Sequence, residues 1–125
     1  MKVLSAPFKQ GKIELRSISL GPDYQILISG GQAHVGASAV AVCYDRKQAK
    51  VNVSQIAVYG HKEDELARLM AEKLCRATGS TVAVTAGIHF DGLNSSEIKQ
   101  ILEITESLMD QLILELAVEK QQTKE

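Results

Sequence analysis

Residues 81–90 of this chain have the sequence TVAVTAGIHF, in which apolar residues recur at every second position. A period of two is typical of a β-strand, because successive side chains of a strand point to opposite faces of the sheet. The preceding segment, 63–78, repeats its apolar residues at helical spacing instead, and Gly79 stands where a left-handed helix end is expected. This order predicts a helix that returns the chain to the same sheet, with strand 81–90 parallel to the strand before the helix.

Four further strands are predicted before this helix, at residues 13–20, 24–29, 35–44 and 51–59. The connections between them are short, and the segment 21–23 has the Gly-Pro-Asp composition of a tight turn. Short connections favour antiparallel hairpins, so these strands are expected to form a meander. A change of phase between Leu15 and Ile18 predicts a bulge in the first strand.

A second helix is predicted to begin after residue 94, where the sequence has the features of a capped helix start. Asn94 is expected to cap this helix with Glu97 reaching back to it, while Leu93 and Ile98 occupy the positions of a hydrophobic staple. Apolar residues then continue as one long stripe, and the polar residues 119–125 are expected to fray.

Together these segments predict an α+β fold in a single domain of residues 1–125, with residues 1–11 as a lead-in. The expected architecture is a largely antiparallel sheet of about five strands with two helices, in the order β-β-β-β-α-β-α. A domain of 125 residues buries roughly 65% of the surface that its unfolded chain exposes, which is enough for a core.

Composition argues against several classes of function. Lys and Arg (14) nearly balance Asp and Glu (15), so the net charge points neither to nucleic acid nor to an anionic membrane. No apolar segment has the length of a signal peptide or of a membrane span. The two cysteines, Cys43 and Cys75, lack the spacing of a zinc or redox motif. We therefore expect a cytoplasmic protein that binds neither nucleic acid nor membrane.

All three histidines of the chain lie close to glycine where a predicted strand begins or ends, within residues 30–34, 60–64 and 87–91. If strand 81–90 runs parallel to the strand before the first helix, both strands end at one edge of the sheet. Strand 35–44 would begin at that edge, because it is antiparallel to the strand before the helix. The three histidine segments would then converge, which predicts a polar site at this edge.

The start of the first helix, at Gly60-His61-Lys62, suggests one chemistry for such a site. Unpaired backbone N–H groups and the helix dipole favour an anion there, and a His and a Lys are unfavourable neighbours of the dipole unless an anion shares the space. The acids Glu63, Asp64 and Glu65 provide an alternative, because carboxylates in a first helical turn satisfy the dipole by themselves. The sequence is compatible with both a bound phosphate or carboxylate and a self-satisfied turn.

Gly30 and Gly31 also have two interpretations. The dipeptide is typical of a hairpin turn, and this interpretation is favoured. Backbone without side chains can also let a ligand approach closely, as in phosphate-binding loops. The pair belongs neither to a P-loop, since no Gly-Lys-Ser/Thr follows, nor to a dinucleotide-binding motif, since residues 35–39 predict a strand.

The histidines could form a metal site with Asp91, or His89 and Asp91 could form an acid–base pair. The spacing supports neither strongly, because the sequence contains no His-Glu-x-x-His motif and no cysteine cluster. No nucleophile has an evident activating partner either. A metal site and an independent enzyme are therefore disfavoured, and no catalytic residue is assigned.

Three blocks carry a resemblance to a known family: SGGQAHVGA at 29–37, GHKEDELA at 60–67 and AGIHFD at 86–91. In this order they resemble the small accessory protein of gallate decarboxylase, whose family is described as prenylated flavin chaperones. The resemblance extends over roughly residues 12–112. It implies a fold related to proteasome assembly chaperones and a non-catalytic protein that binds prenylated FMN or delivers it to a partner decarboxylase of aromatic acids.

The resemblance also implies a set of site residues, to which the geometry of the edge adds three glycines. The polar residues are His34, His61, Lys62, Glu63, Asp64, His89 and Asp91, and the glycines are Gly30, Gly31 and Gly60. We expect the glycines and the start of the first helix to receive the flavin phosphate. His34, His89 and Asp91 would then meet polar edges of the flavin ring or a partner protein.

Two other functions remain open. The chain could be an assembly subunit that stabilises a partner or an oligomer without binding a cofactor, or a small metal-dependent enzyme. The last turns of the second helix, around residues 112–118, are apolar on more than one side. This pattern predicts a possible homodimer, although core packing accounts for it equally well.

Overall fold

The computed structural model describes residues 1–58 and 63–123, which form six strands and two helices. The strands are β1 (Lys2–Phe8), β2 (Gly11–Leu20), β3 (Asp23–Gly31), β4 (Ala37–Asp45), β5 (Lys50–Ala57) and β6 (Val82–His89). The helices are α1 (Glu63–Thr78), between β5 and β6, and α2 (Ser95–Thr123). The predicted α+β class and both predicted helices are confirmed, whereas the sheet has one strand more than expected.

Across the described part of the chain the strand order is β1-β2-β3-β6-β4-β5. The sheet is mixed, because β6 is parallel to β3 on one side and antiparallel to β4 on the other. The predicted meander is therefore wrong: β6 separates β3 from β4, and only the β1-β2-β3 and β4-β5 groups are antiparallel hairpins. The predicted common direction of the strands before and after α1 is confirmed, since β5 and β6 are both antiparallel to β4.

Two further predictions about the first strands are wrong. The lead-in contains β1, an edge strand that pairs with β2 along its whole length. Its Pro7 lacks a backbone N–H, which an edge strand tolerates but a central strand does not. The expected bulge in β2 is absent, because β2 pairs with β1 and β3 in an unbroken register. The apparent change of phase arises because Ile18 lies on the opposite face from Leu15.

Both helices cover the same face of the sheet, so the fold has two layers. α1 packs over β4, β5 and β6, and α2 packs over β1 and β2. The core between the layers is formed by inward residues of the strands, such as Leu15, Ile28 and Val84, and by residues of the helices, such as Leu74 and Leu112, each at most 1% exposed. No helix in the described ranges combines the length and apolar character needed to cross a bilayer.

The helix ends follow the predicted capping pattern. At the start of α2, the Asn94 side chain accepts the backbone N–H of Glu97 at 2.8 Å, and the Glu97 carboxylate accepts the N–H of Asn94 at 3.1 Å. At the end of α1, Gly79 has a φ of 73° and its N–H donates to the carbonyl of Cys75 at 2.7 Å.

The link between β3 and β4 passes over the end of β6, and this crossing depends on Gly87. The link is anchored on β6 at both ends: the Gln32 N–H donates to the carbonyl of His89, and the Gly36 N–H donates to the carbonyl of Ala86. Between these anchors the His34 carbonyl oxygen lies only 1.5 Å from the position that a Cβ on Gly87 would occupy. Any side chain at residue 87 would therefore displace the crossing link.

We expect Gly87→Ala to lower the free energy of unfolding by about 3 kcal/mol or more, because the new methyl group overlaps backbone rather than a movable side chain. Gly11→Ala is the matched control, since a Cβ there meets only the Phe90 ring at 3.4 Å, an ordinary contact. Urea unfolding of both variants measures the difference. Equal stability of the two variants would show that the crossing does not need a glycine.

Candidate functional site

The predicted convergence at one edge of the sheet is confirmed for the described residues. Gly31, at the end of β3, pairs with His89 at the end of β6. Ala37, at the start of β4, pairs with Ala86 on one side and with Ala57 at the end of β5 on the other. The opposite edge carries the turns, since Ser80 and Thr81 hydrogen-bond there to the turn at residues 22–23.

Glu63 is the residue that joins these strand ends to α1. It is the first residue of α1 and only 9% exposed. Its Oε1 accepts the backbone N–H of Ile88 at 3.3 Å, just before the end of β6. The carboxyl group fits because residue 36 is glycine: a Cβ on Gly36 would lie 2.7 Å from Cδ and Oε2 of Glu63. Gly36 thus makes room for a buried carboxylate.

His34 completes this cluster from the crossing link. Its Nε2 lies 3.2 Å from Oε1 of Glu63, and its Nδ1 lies 3.2 Å from the carbonyl oxygen of Gln32. A carbonyl oxygen can only accept, so Nδ1 carries a hydrogen. The contact between Nε2 and Oε1 of Glu63 is then a favourable hydrogen bond when one further proton is present. That proton can be carried either by Nε2 or by the Glu63 carboxyl group. One carboxylate therefore connects the crossing link, β6 and α1.

The remaining predicted polar residues lie apart from this cluster or outside the described ranges. His89 Nε2 is 3.0 Å from Oδ1 of Asp91, and this pair is exposed to solvent. Asp64 is half-buried in the first turn of α1. Gly60, His61 and Lys62 lie outside the described residues, so their proposed contact with a phosphate stays a prediction.

Neighbouring parts of the chain approach Gly30 and Gly31 closely, although both glycines also line a cavity of about 360 Å³ together with Lys12, Glu14 and Arg16. Gly31 has a φ of 63°, and a Cβ on it would lie 2.0 Å from the carbonyl oxygen of His89. A Cβ on Gly30 would approach the side chain of Ile13 at 3.0 Å. Their structural role is the close approach of β3 to its neighbours, not the predicted β3–β4 hairpin. A role in binding phosphate stays a prediction for both glycines.

An apolar groove opens beside the cluster, between the first turns of α1 and α2 and the end of β6. Its volume is about 490 Å³, within the range of small-molecule sites. Its apolar lining consists of Leu66, Ile88, Leu93, Ile98, Ile101 and Leu102. Its polar lining consists of Glu63, Glu65, His89, Ser95 and Lys99. The groove thus contains polar residues from the predicted site at the sheet edge together with apolar residues that were not predicted to line a site.

The start of α2 forms one side of the groove and carries its own anion. The Asn94 N–H and the Lys9 ammonium, which is 3.1 Å from Oε2, keep the pKa of the Glu97 carboxyl below its ordinary value. This ionised side chain complements the dipole at the helix start. The start of α2 is therefore already neutralised by Glu97. The cation that the groove can provide for a ligand is Lys99, one turn into α2.

The described residues contain no group of three or more His, Cys, Asp or Glu side chains arranged to hold a metal ion. His34 and His89 lie in separate pairs, with Glu63 and with Asp91. These two pairs are better suited to hydrogen bonding, which holds segments of the chain together, than to metal coordination.

Comparison with known families identifies the chain. Residues 8–117 match the family model described as a prenylated flavin chaperone LpdD-like domain. The chain belongs to this family. The predicted resemblance to prenylated flavin chaperones is thereby confirmed, over nearly the whole folded part of the chain. No curated protein gave a significant match in a sequence search.

The fold is also similar to a solved structure described as a novel chaperone complex for yeast 20S proteasome assembly. The two chains are 19% identical, with a TM-score of 0.57, and the match covers 92% of this chain and 97% of the other. At this identity the similarity concerns the fold alone. It confirms the expected similarity of this chain's fold to that of a proteasome assembly chaperone.

The sequence patterns of this family member did not predict the groove, because they placed Leu93 and Ile98 in a hydrophobic staple and the other apolar groove residues in ordinary helix and strand patterns. Ile98 shows why: its spacing fits the buried stripe of α2, yet it is 46% exposed. At the start of the stripe, Ile98, Ile101 and Leu102 are all apolar. Three apolar residues in one helical turn beside a polar strand end are the signal that could have revealed the groove.

We expect Glu63→Ala to lower the free energy of unfolding by about 1–3 kcal/mol, because the Ile88 N–H loses its acceptor in a buried position. Glu65→Ala is the control, since it removes a carboxylate from the same helical turn at an exposed position. Hydrogen exchange of the Ile88 amide should accelerate in the Glu63 variant alone. Equal unfolding energies and exchange rates in both variants would contradict the proposed role of Glu63.

Proposed function

We propose that this protein is a non-catalytic carrier that binds prenylated FMN in the apolar groove and delivers it to a partner decarboxylase of aromatic acids. The groove of about 490 Å³ carries this proposal, because it lies at the sheet edge that holds the predicted site residues. Membership of the prenylated flavin chaperone family supports the choice of cofactor. We further propose that the protein acts in the cytoplasm.

The chemistry of the groove suits a prenylated flavin. A fused ring system with a prenyl-derived addition is large, flat and mostly apolar, and six of the groove residues have aliphatic side chains. Ligand sites of this type combine an apolar wall with a few polar groups that fix orientation. Ile98 and Leu102, one turn apart on α2, would contact the ring or its prenyl-derived part.

The polar groups of the groove would orient the ligand. Lys99 carries a positive charge that a phosphate can share, and we propose it as a phosphate contact in addition to the predicted His61 and Lys62. The carboxylates of Glu63 and Glu65 can accept a hydrogen bond from a ring N–H. His89, with Asp91, would lie at the open margin, near a partner protein.

The proposal of a carrier rather than an enzyme follows from the roles of the polar groups. Glu63 is committed to the backbone of Ile88 and to His34, both within the fold. His89 is paired with an almost fully exposed Asp91. These arrangements hold and orient, and the chemistry of decarboxylation would be supplied by the partner with its bound cofactor.

Titration of the full chain with prenylated FMN, FMN and inorganic phosphate, followed by flavin absorbance and by calorimetry, tests binding. We expect Ile98→Glu to weaken prenylated FMN binding at least tenfold, because it places a carboxylate against the ring. Leu114→Glu is the matched control on the same helix, since Leu114 is 66% exposed and does not line the groove. Absence of binding of all three ligands to the unmodified chain would exclude the carrier function.

Delivery is tested by adding prenylated FMN to a cofactor-free decarboxylase with and without this chain. We expect the chain to accelerate the recovery of decarboxylase activity, and the Ile98→Glu variant to lose this effect while Leu114→Glu retains it. Equal recovery of decarboxylase activity with and without the chain would rule out delivery of the cofactor, and storage of the cofactor would then be the remaining carrier function. An effect that survives Ile98→Glu would instead favour an assembly role that does not use the groove.

A further inference from the structure

The face of the sheet that lies opposite the helices contains a cavity where β2 begins and β3 ends. Its volume is about 360 Å³, and we call it the β2–β3 cavity. Its lining includes Lys12, Glu14 and Arg16 of β2 and Ser29, Gly30 and Gly31 of β3. The charged residues point away from the helices, because Ile13 and Leu15, which alternate with them, are fully buried in the core. The sheet therefore separates this cavity from the apolar groove.

Short side chains on neighbouring strands form the hollow. In the sheet, Glu14 pairs with Ser5 of β1 on one side and with Ser29 of β3 on the other. Ser29 pairs in turn with Gly87 of β6. The long side chains of Lys12 and Arg16 therefore stand beside a low floor of serine and glycine. A volume of about 360 Å³ is within the range of small-molecule sites.

The charges of this cavity do not balance. Glu14 is only 8% exposed, and both of its oxygens have cationic partners. Lys12 Nζ lies 3.1 Å from Oε2, and Arg16 Nε donates to Oε1. These two contacts, with Arg16 the stronger, keep the pKa of the Glu14 carboxyl below its ordinary value. One cation would neutralise the carboxylate, so the second leaves a net positive charge beside the cavity.

Both cations keep donors for a further partner. Arg16 uses Nε for Glu14, and among the described residues its Nη1 and Nη2 groups have no acceptor. The side chains of Lys12 and Arg16 are 62% and 47% exposed, so a ligand can reach them. Ser29 adds a hydroxyl group. A guanidinium group, an ammonium group and a hydroxyl group together form a donor set that suits an oxyanion.

The other ligand classes fit this cavity less well. A metal cation is disfavoured by the net positive charge, and an apolar molecule is disfavoured by the three ionised side chains. A free inorganic ion would fill only a small part of the volume. An organic molecule that carries an oxyanion can instead fill the hollow and pair with the cations.

From the donor set, the net charge and the hollow, we propose that the β2–β3 cavity is a second ligand site, which binds the phosphate or carboxylate group of a small organic molecule between Lys12 and Arg16. Glu14 would hold the two cations in position, and Ser29 would donate a further hydrogen bond. This proposal is independent of the carrier function, because the groove lies on the helix side of the sheet.

Titration of the ¹⁵N-labelled full chain with phenyl phosphate, benzoate and inorganic phosphate, followed by NMR, tests the site. We expect saturable shifts of the Gly30 and Gly31 amide signals with an organic anion, and the stronger of phenyl phosphate and benzoate identifies the preferred oxyanion. Arg16→Gln and Lys12→Gln should each weaken this binding about tenfold or more, because each removes a charged donor. Thermal unfolding checks that both variants fold.

Arg68→Gln is the matched control. Arg68 and Arg76 share the carboxylate of Glu72 on α1, so one acid again lies between two cations. Arg68 lines neither the groove nor the β2–β3 cavity, and its replacement should leave anion binding unchanged.

Glu14→Gln tests the charge argument in the opposite direction. The change keeps the size of the side chain but removes the negative charge and releases Arg16 from its ion pair. We expect organic anions to bind more tightly, by about threefold or more. Unchanged or weaker binding in a folded Glu14→Gln variant would contradict the proposal.

The remaining outcomes also decide against the site. Absence of saturable shifts at Gly30 and Gly31 with both organic anions would exclude it, and shifts with inorganic phosphate alone would indicate an adventitious ion only. Binding that survives Arg16→Gln and Lys12→Gln but is lost in Ile98→Glu would place the anion in the groove.

Discussion

The crossing of the link between β3 and β4 over the end of β6 is the constraint on which the rest of the structure depends. The crossing is possible because Gly87 leaves room for the His34 carbonyl. It lets β6 occupy the centre of the sheet, parallel to β3, and it divides the antiparallel strands into two groups. It also brings His34 to the edge where α1 begins. The sheet order and the cluster around Glu63 thus have one common cause.

A buried carboxylate then fixes this edge. Burial of a carboxyl group is costly unless it has hydrogen-bond partners. Glu63 meets the condition with a backbone N–H from β6 and an imidazole from the crossing link, and Gly36 supplies the space. Three segments that are distant in sequence are held by one side chain. We regard His34, Gly36 and Gly87 as elements of the fold first, and as neighbours of a ligand second.

Sequence patterns predicted the local structure of this chain better than its long-range pairing. The start of α2 and the Gly79 end of α1 were predictable because capping depends on residues three or four apart. The order of strands was not, because hairpin geometry favours pairing β3 with β4 and nothing local in Gly30-Gly31 signals a crossing. β1 was missed because Ser5 and Pro7 are weak strand residues that an edge position tolerates. At the site, the convergence of polar residues was predictable from the directions of the strands. The groove was not predictable, because the apolar stripe of a helix does not show which of its residues are exposed.

The way the helices divide the sheet explains why the groove lies where it does. α1 covers β4, β5 and β6, while α2 covers β1 and β2, so the two helices meet along a seam above the middle of the sheet. At the sheet edge that holds Glu63, the first turns of both helices and Leu93 border this seam, and the groove opens between them. A ligand there contacts both helices at once. It would therefore stabilise the native state in proportion to the logarithm of its concentration, since the unfolded chain has no such groove.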